Sequence, residues 1–382
     1  MDPLVSKLAS RRAQGLYRQR QTLTSPQGVF VSIDGVKLLS FCSNDYLGLT
    51  NDARIVNSFC RAAEVHGVGA GASHLITGHS AVHAALEEEL AEFVGAPRAL
   101  VFSTGYMANL GVVTALTDRR SIVLEDKLNH ASLIDAARLA RVQVKRYPHA
   151  DTARLAALLA AVGGPKLITS DAVFSMDGDI APLAELLVLA KRHGARLLLD
   201  DAHGIGVLGS EGRGTLARQG VAIAEPIVLM GTLGKAFGVF GAFVAGSEAL
   251  VETLIQHART YIYTTALPPA IAAATRASLQ IVRAESWRRE RLQARIEEFV
   301  SGAKALGLPL VDSPTAIQPV VLGEAADTLE VSQRLRERGI LVPAIRPPTV
   351  PAKTARLRIT FSAAHEAAHV QRLLEALAQA LH

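Results

Sequence analysis

Short apolar runs alternate with alanine- and leucine-rich stretches through the middle of the chain. The runs are ALVFS (99–103), SIVLED (121–126), VQVKRYP (142–148), KLITSDAVF (166–174), ARLLLDDAHG (195–204), PIVLMGT (226–232) and GAFVAG (241–246). Between most of them lie segments with helical composition, such as APLAELLVLAKRHG. Alternation of this kind predicts an α/β fold, with a mostly parallel sheet carrying helices on both faces. Ahead of it, Leu4, Leu8 and Leu16 stand among arginines and predict an amphipathic helix over residues 1–20. GVFVSIDGVKLLSF alternates on both sides of Asp34-Gly35, the signature of a hairpin closed by a type I′ turn. Beyond it come a charged helix over 284–306, AIQPVVLG, a helix over 326–338, GILVPAIRPP, RLRITFS and a final helix. They predict a smaller α+β unit. The expected division is an N-terminal helix and hairpin segment over 1–45, a large α/β domain over 46–285 and a small α+β domain over 286–382.

Composition changes this picture little. The 382 residues are 49% hydrophobic and 20% charged, with a formal net charge of +5. The arginines are scattered, so the basic stripe of a nucleic-acid binder is missing; small anionic ligands suit the charge better. Cys42 and Cys60 belong to no CxxC or Cys/His cluster, so neither a disulfide framework nor a zinc site is expected, only two buried thiols. MDPLVSKLASRRAQGLYRQR has no apolar core of a secretory signal, and no run approaches the ~18 apolar residues of a membrane span. The expectation is a soluble cytoplasmic protein.

Ligands of open α/β sheets bind beyond the carboxyl ends of the strands. In LLLDDAHG, a buried strand ends in two acids. Neighbouring residues point to opposite faces, so Asp200 and Asp201 serve different purposes. Asp200 and His203 can converge on one ligand; alternatively, Asp200 caps the next segment and His203 is a satisfied polar group. GTLGKAFG is no phosphate loop, since GxxxxGK[ST] needs glycine at 229 and Ser or Thr at 236, where Leu229 and Ala236 stand. What remains is Lys235, placed after a strand in a glycine-rich turn. Desolvation lowers the pKa of such a lysine and makes it a nucleophile toward carbonyls or pyridoxal 5′-phosphate (PLP).

PLP makes three further demands. Its ring nitrogen needs a carboxylate, which Asp200 supplies. Its phosphate needs N–H donors at a helix N-terminus, which VFSTGYMANLG supplies through Gly105 and Tyr106. Its ring needs a stacking partner, and His130 in LEDKLNHASLIDA follows another strand.

The order STGYMAN, LNHASLIDA, FSMDGD, LLLDDAHGIGVLG, GTLGKAFG resembles the α-oxoamine synthases, a branch of the fold type I PLP-dependent enzymes. The resemblance runs from CSNDYLGL (42–49) to RLRITFSAAH (356–365). It implies the fold type I transferase architecture and the following roles. Lys235 holds PLP and then acts as acid and base. Asp200 pairs with the ring nitrogen, His203 bonds the ring hydroxyl, and His130 stacks on the ring and borders the substrate. Gly105, Tyr106 and Thr232 hold the phosphate, and Ser175 lies near the ring. Arg18 meets the acyl substrate; Asn44, Thr349 and Arg358 line the substrate pocket. The active site sits at the interface of a homodimer, where Thr265 contacts the partner's phosphate. In GVGAGASHLITG, Ala72 and His74-Leu75 depart from the usual pattern, so no substrate contact is assigned there.

Within the branch, RRAQGLYRQR, HSAVHAALEEELAEF, SPTAIQPVVLG and AIRPPTVPAKTARLRIT resemble the members that use L-alanine and a pimeloyl thioester, and this resemblance implies those substrates. The thioester carries a carboxylate and phosphates, for which Arg18, Arg346 and Arg358 are candidates; Arg346 is equally a loop arginine near the site with no such contact. A sister synthase using glycine or serine would keep every PLP residue. A nicotinamide dehydrogenase would need GxGxxG directly after a strand, whereas Gly67, Gly69 and Gly71 follow a helical stretch. An aminotransferase fits LDDAHGIGVLG and GTLGKAFG poorly. A scaffold protein would not gather polar groups at strand ends.

Overall fold

The structure, a computed structural model, describes residues 2–13 and 16–381. Among them, seven strands form the central sheet in the order β3-β9-β8-β7-β6-β4-β5. These are β3 (Arg98–Phe102), β4 (Ile122–Asp126), β5 (Gln143–Tyr147), β6 (Lys166–Asp171), β7 (Ala195–Asp200), β8 (Ile227–Thr232) and β9 (Ala242–Gly246). β4 to β8 pair in parallel, and β9 runs antiparallel to both β8 and β3. The carboxyl ends of β3, β4, β6, β7 and β8 therefore open on one edge of the sheet. Every apolar run expected as a strand is one.

Burial on both faces explains why these strands read as continuous apolar runs. Leu198, Val228 and Met230 pack into one core with Val112, Leu133 and Leu254. Leu197, Leu199 and Leu229 pack into the other with Leu186, Leu233 and Phe243. The same alternation sends Asp200 to the face of Leu198 and Asp201 to that of Leu199.

The hairpin closes as expected. β1 (Phe30–Ile33) pairs with β2 (Val36–Ser40) in the register Ile33↔Val36, and Asp34 and Gly35 have φ of 52° and 77°. The hairpin is not self-contained: β2 also pairs in parallel with β11 (Ile340–Leu341). A third sheet has the order β10-β13-β12, from β10 (Ile317–Gly323), β12 (Ala344–Ile345) and β13 (Ala355–Thr360). GILVPAIRPP thus divides between two sheets, and its β11 half carries the hairpin to the C-terminal elements.

The first helix spans only Pro3–Ala13, and none of its residues is buried. The helix predicted over 1–20 is shorter than expected; its Met1, Gln14 and Gly15 lie outside the described residues, and Leu16 to Arg20 are not helical. Leu4 and Leu8 are exposed. The two cysteines are free, but Cys60 is exposed and Cys42 only half-buried, so the expected pair of buried thiols is corrected.

Candidate active site

The strand ends converge on a cavity of about 210 Å³, lined by Gly105, Tyr106, His130, Ser132, Asp171, Ser175, Asp200, Ala202, His203, Met230, Thr232 and Lys235. Each expected cofactor residue except Thr265 lines it. Gly105 opens the helix Gly105–Leu116 behind Thr104, whose hydroxyl accepts from Met107 N. The N–H groups of Gly105 and Tyr106 belong to the first turn, where no earlier helical carbonyl reaches them. The Tyr106 phenol lies outward and bonds Asp135.

Asp200 is held from two sides. Its Oδ2 accepts from Asn109 Nδ2 (2.7 Å) and its Oδ1 from Ala202 N (3.1 Å). Asn109 Nδ2 also donates to Ser132 Oγ (2.9 Å), and Ser132 Oγ bonds His130 Nδ1 (2.8 Å). His130 Nδ1 accepts from Ser132 N (3.3 Å) as well, so the ring proton sits on Nε2. Burial lowers the His130 pKa, and the Lys235 ammonium adds to this while Asp200 opposes it, which keeps the ring neutral. Asp171, directly across from Asp200 in the sheet, accepts from His130 N (2.9 Å). Burial and the neighbouring Asp200 carboxylate raise its pKa well above the usual carboxylate range.

Asp201 has the opposite assignment, as strand parity requires. It accepts from the backbone and hydroxyl of Thr215 and fastens the loop that follows β7. A Cβ at Gly204 or Gly214 would approach its carboxylate oxygens to 2.1 and 2.3 Å, so both glycines are needed for its seat. Burial pushes its pKa up to about 7.

Lys235 follows β8 in the turn Leu233–Gly241, which closes through Leu233 N to Gly241 O (2.8 Å). Its Nζ lies 2.9 Å from His203 Nε2. Burial lowers its pKa to about 8; Asp200 and Asp171 oppose the shift and Arg358 adds to it. An ordinary lysine titrates near 10.4. In the cofactor-free protein, labelling of Lys235 by formaldehyde and cyanoborohydride should therefore rise through about pH 8 and level off above it. A free lysine amine in a peptide should still be gaining reactivity at pH 10. Peptide mass spectrometry across a pH series reads this directly; a Lys235 profile matching that of the free peptide would contradict the burial argument.

The glycines beside Lys235 serve chain packing more than a ligand. A Cβ at Gly238 (φ 66°) would meet Thr50 N at 2.5 Å and Leu49 C at 2.7 Å, while one at Gly234 would make only ordinary contact, with Thr232 Oγ1 at 3.8 Å. The segment so pressed against the lysine turn is Asn44–Thr50. Asp45 ties it internally, accepting from Leu49 N (2.8 Å) and Thr50 N (3.2 Å), and Ala363 N donates to Tyr46 O (2.8 Å). This fixing brings the phenol of Tyr46, fully buried, to 2.7 Å from His203 Nδ1 and 3.2 Å from Asn44 Oδ1. Arg358, on β13, donates to Ser175 O (2.6 Å) and approaches Asn44 Oδ1 at 3.4 Å. Asn44 and Arg358 thus adjoin the cavity through Tyr46 and Ser175 without lining it.

The remaining expected substrate residues are not in this cavity. Arg18 and Thr349 are exposed. Arg346 Nη2 donates to Tyr17 O (3.3 Å), the residue before Arg18, and Thr349 N to Arg346 O (3.1 Å), so the loop of Arg346 and Thr349 lies against the segment that carries Arg18, as an outer group. Thr265 is exposed beside Ala266, whose N–H bonds Ala72 O. His74, where the sequence departs from its family pattern, is buried, stacked on Tyr261 with centroids 4.8 Å apart and bonded to His79. Its surroundings account for it as packing. Asn109, Ser132, Asp171 and Tyr46 were missed by sequence reasoning. Asn109 had a signal, as a polar side chain within an apolar helix, and Asp171 had one, as a second acid ending a strand.

The donor set fits PLP. A desolvated amine suits its aldehyde, a buried carboxylate its ring nitrogen, a helix N-terminus its phosphate and a neutral imidazole its ring face. Thr232 Oγ1, which donates to Gly241 O (3.1 Å), lines the same cavity as Gly105.

Comparison with known proteins agrees. Residues 36–377 match the family model "Aminotransferase class I and II", and the chain belongs to this family of PLP-dependent fold type I enzymes. Within the family it groups with the α-oxoamine synthases. It is 58% identical over 381 residues to an 8-amino-7-oxononanoate synthase of Methylococcus capsulatus, covering 100% of this chain and 98% of that protein. It is 56% identical over 376 residues to the protein of the same name from Pseudomonas putida, covering 98% and 96%. Among solved structures, it is similar to a serine palmitoyltransferase of S. paucimobilis with bound PLP and myriocin (TM-score 0.93, 31% identity, 99% and 96% covered). It is also similar to the 8-amino-7-oxononanoate synthase of Francisella tularensis (TM-score 0.79, 32% identity, 90% and 97% covered).

Proposed function

We propose that the chain condenses L-alanine with a pimeloyl thioester to 8-amino-7-oxononanoate, releasing CO₂ and the free thiol, as a step of biotin biosynthesis in the cytoplasm. The observation that carries this is the convergence of Lys235, Asp200, His203, His130 and the Gly105 helix start on one cavity, in a chain 56–58% identical to synthases of that name. The higher fold similarity to a serine palmitoyltransferase does not favour that substrate pair, because identity there is 31%.

PLP, when bound, supplies the electron sink that lets an amino acid lose its α-proton and add to a thioester. Lys235 Nζ would hold it, then move the proton at the substrate Cα. The lowered pKa leaves this amine able to take and to return a proton near neutral pH. Asp200 would keep the ring nitrogen protonated; its two accepted hydrogen bonds hold the carboxylate in place. His130, neutral and locked by Ser132, would cover the ring face. The N–H groups of Gly105 and Tyr106, with Thr232, would bind the phosphate, and Ser175 would border the ring. Asn44, Arg358 and the outer group Arg18, Arg346 and Thr349 would meet the substrates as they enter.

A homodimer is part of this reading. Val65, Val68, Ile76 and Tyr263 are 76%, 87%, 76% and 72% exposed, and their two segments meet at the Ala266–Ala72 bond beside Thr265. Exposed apolar side chains of this number mark an interface. A second copy there would bring Thr265 to its partner's phosphate.

The test is product formation by the PLP-loaded protein with L-alanine, glycine or L-serine, each with pimeloyl-CoA. Turnover with L-alanine is expected to exceed the other two at least ~10-fold, since a pocket distinguishes one methyl or hydroxyl by about that factor. Glycine or serine as the better substrate would point to a sister synthase, such as a glycine C-acetyltransferase or a 5-aminolevulinate synthase. Light scattering on the same preparation should give twice the 40.5 kDa of one chain.

A further inference from the structure

We infer that Tyr46 is a positioning residue, whose hydroxyl fixes His203 with its Nε2 lone pair turned toward Lys235 Nζ. The inference rests on the functional reading for its catalytic consequence, but not for its geometry.

The order of donors follows from what each group can do. A lysine ammonium has donors only, so at 2.9 Å it must donate to His203 Nε2. Burial, Lys235 and Arg358 all keep His203 from taking a second proton, so a ring that accepts at Nε2 carries its proton on Nδ1. Nδ1–H then donates to Tyr46 Oη at 2.7 Å. The phenol has one proton, and with its oxygen already accepting from His203 it donates to Asn44 Oδ1 at 3.2 Å. The line Lys235 → His203 → Tyr46 → Asn44 runs in one direction and ends at Asn44 Oδ1, which Arg358 also approaches at 3.4 Å while its guanidinium lies against the phenol.

While Lys235 is an ammonium, the opposite tautomer of His203 does not fit. If the His203 proton moved to Nε2, it would face the ammonium, and two donors would oppose each other in a buried site. Such a clash costs about as much as an unpaired buried donor. The phenol is also rigidly placed. Its segment is fastened by Asp45, by Ala363 and by Ser362 Oγ to Asp45 O (2.6 Å), and it abuts Gly238 of the lysine turn. The ionisable groups around Lys235 are Asp200 and Asp171 from the sheet, His130 and His203 from the loops after β4 and β7, and Arg358 from β13. Among them only His203 is bonded to the amine, so its tautomer is the term that Tyr46 controls.

Tyr46→Phe removes the hydroxyl and keeps the ring. The Nδ1–H form then loses its acceptor, the ring adopts the Nε2–H form, and the neutral amine becomes the better partner. In the cofactor-free protein, the formaldehyde-labelling midpoint of Lys235 should fall by about one pH unit, since a hydrogen bond to a charged group is worth ~1.5–3 kcal/mol. With PLP and substrates, kcat should fall about 10–100-fold, the cost of losing an orienting partner, while KM for the amino acid changes less than ~3-fold. Asn44→Ala is the second variant. It removes the phenol's acceptor, frees the phenol to donate to Nδ1, and should move the labelling midpoint in the same direction. A midpoint unchanged in both variants, or a shifted midpoint with wild-type kcat in Tyr46→Phe, overturns the inference. A wild-type protein that neither captures PLP nor turns over would instead overturn the functional reading, and the labelling midpoints would still report on Tyr46.

Discussion

Lys235→Ala is expected to lower kcat by at least ~10⁴-fold, the upper range for one acid/base residue, because the same amine also forms the covalent link. The structure gives the reason that no rescue follows. Lys235 is the one amine among the residues lining the cavity. The variant should still bind PLP non-covalently, since Asp200, His130 and the first turn of Gly105–Leu116 are untouched. It should lack the absorption band of the lysine-bound cofactor. Lys235→Arg restores the charge next to His203 but cannot form an imine, and should be as inactive. Activity above ~1% of wild type in either variant would remove Lys235 from this role.

The second large effect is expected at Asp200. Asp200→Asn preserves shape and removes charge, and kcat should fall about 10²–10³-fold, the range for removing one preorganised electrostatic group. KM for L-alanine should change little, because the carboxylate acts on the ring nitrogen and does not touch the amino acid. A stability cost accompanies the kinetic one. Asn109 Nδ2 and Ala202 N both donate to Asp200, and an amide there offers one acceptor in place of two. One buried donor is left unpaired, at about 1–3 kcal/mol. Thermal denaturation of the cofactor-free variant measures this part separately. The neighbouring Asp171 carboxyl should ionise more readily in the variant, since the Asp200 charge contributes to holding its pKa up. Unchanged kcat with a lowered melting temperature would make Asp200 a structural residue only.

Much of this site was legible in the sequence because its residues stand at strand ends. Burial on both faces turns each strand into an apolar run, so the first polar residues after a run mark the edge where ligands bind. Asp200 and Asp201 could be separated by parity alone, and the structure sends one to the cavity and the other to Thr215. The reason for a glycine at 238 of GTLGKAFG lies outside the motif, in the backbone of Leu49–Thr50. Arg18, Arg346 and Thr349 lie outside the cavity of the strand ends, because their placement depends on loops without a periodic pattern.

The chemistry offered at each strand end is written locally in the chain: an amine after β8, a carboxylate and an imidazole at the end of β7, an imidazole after β4 and a helix start after β3. These are local consequences of chain direction and side-chain alternation, which follow from neighbouring residues. What stands behind them comes from the packing of distant elements. Tyr46 and His203 are 157 positions apart, and Arg358 and Asn44 are 314 apart. They meet because β11 joins the hairpin to the C-terminal elements and Gly238 lets Leu49–Thr50 lie against the lysine turn. Contacts at such separations depend on how whole elements pack, which no local periodicity encodes.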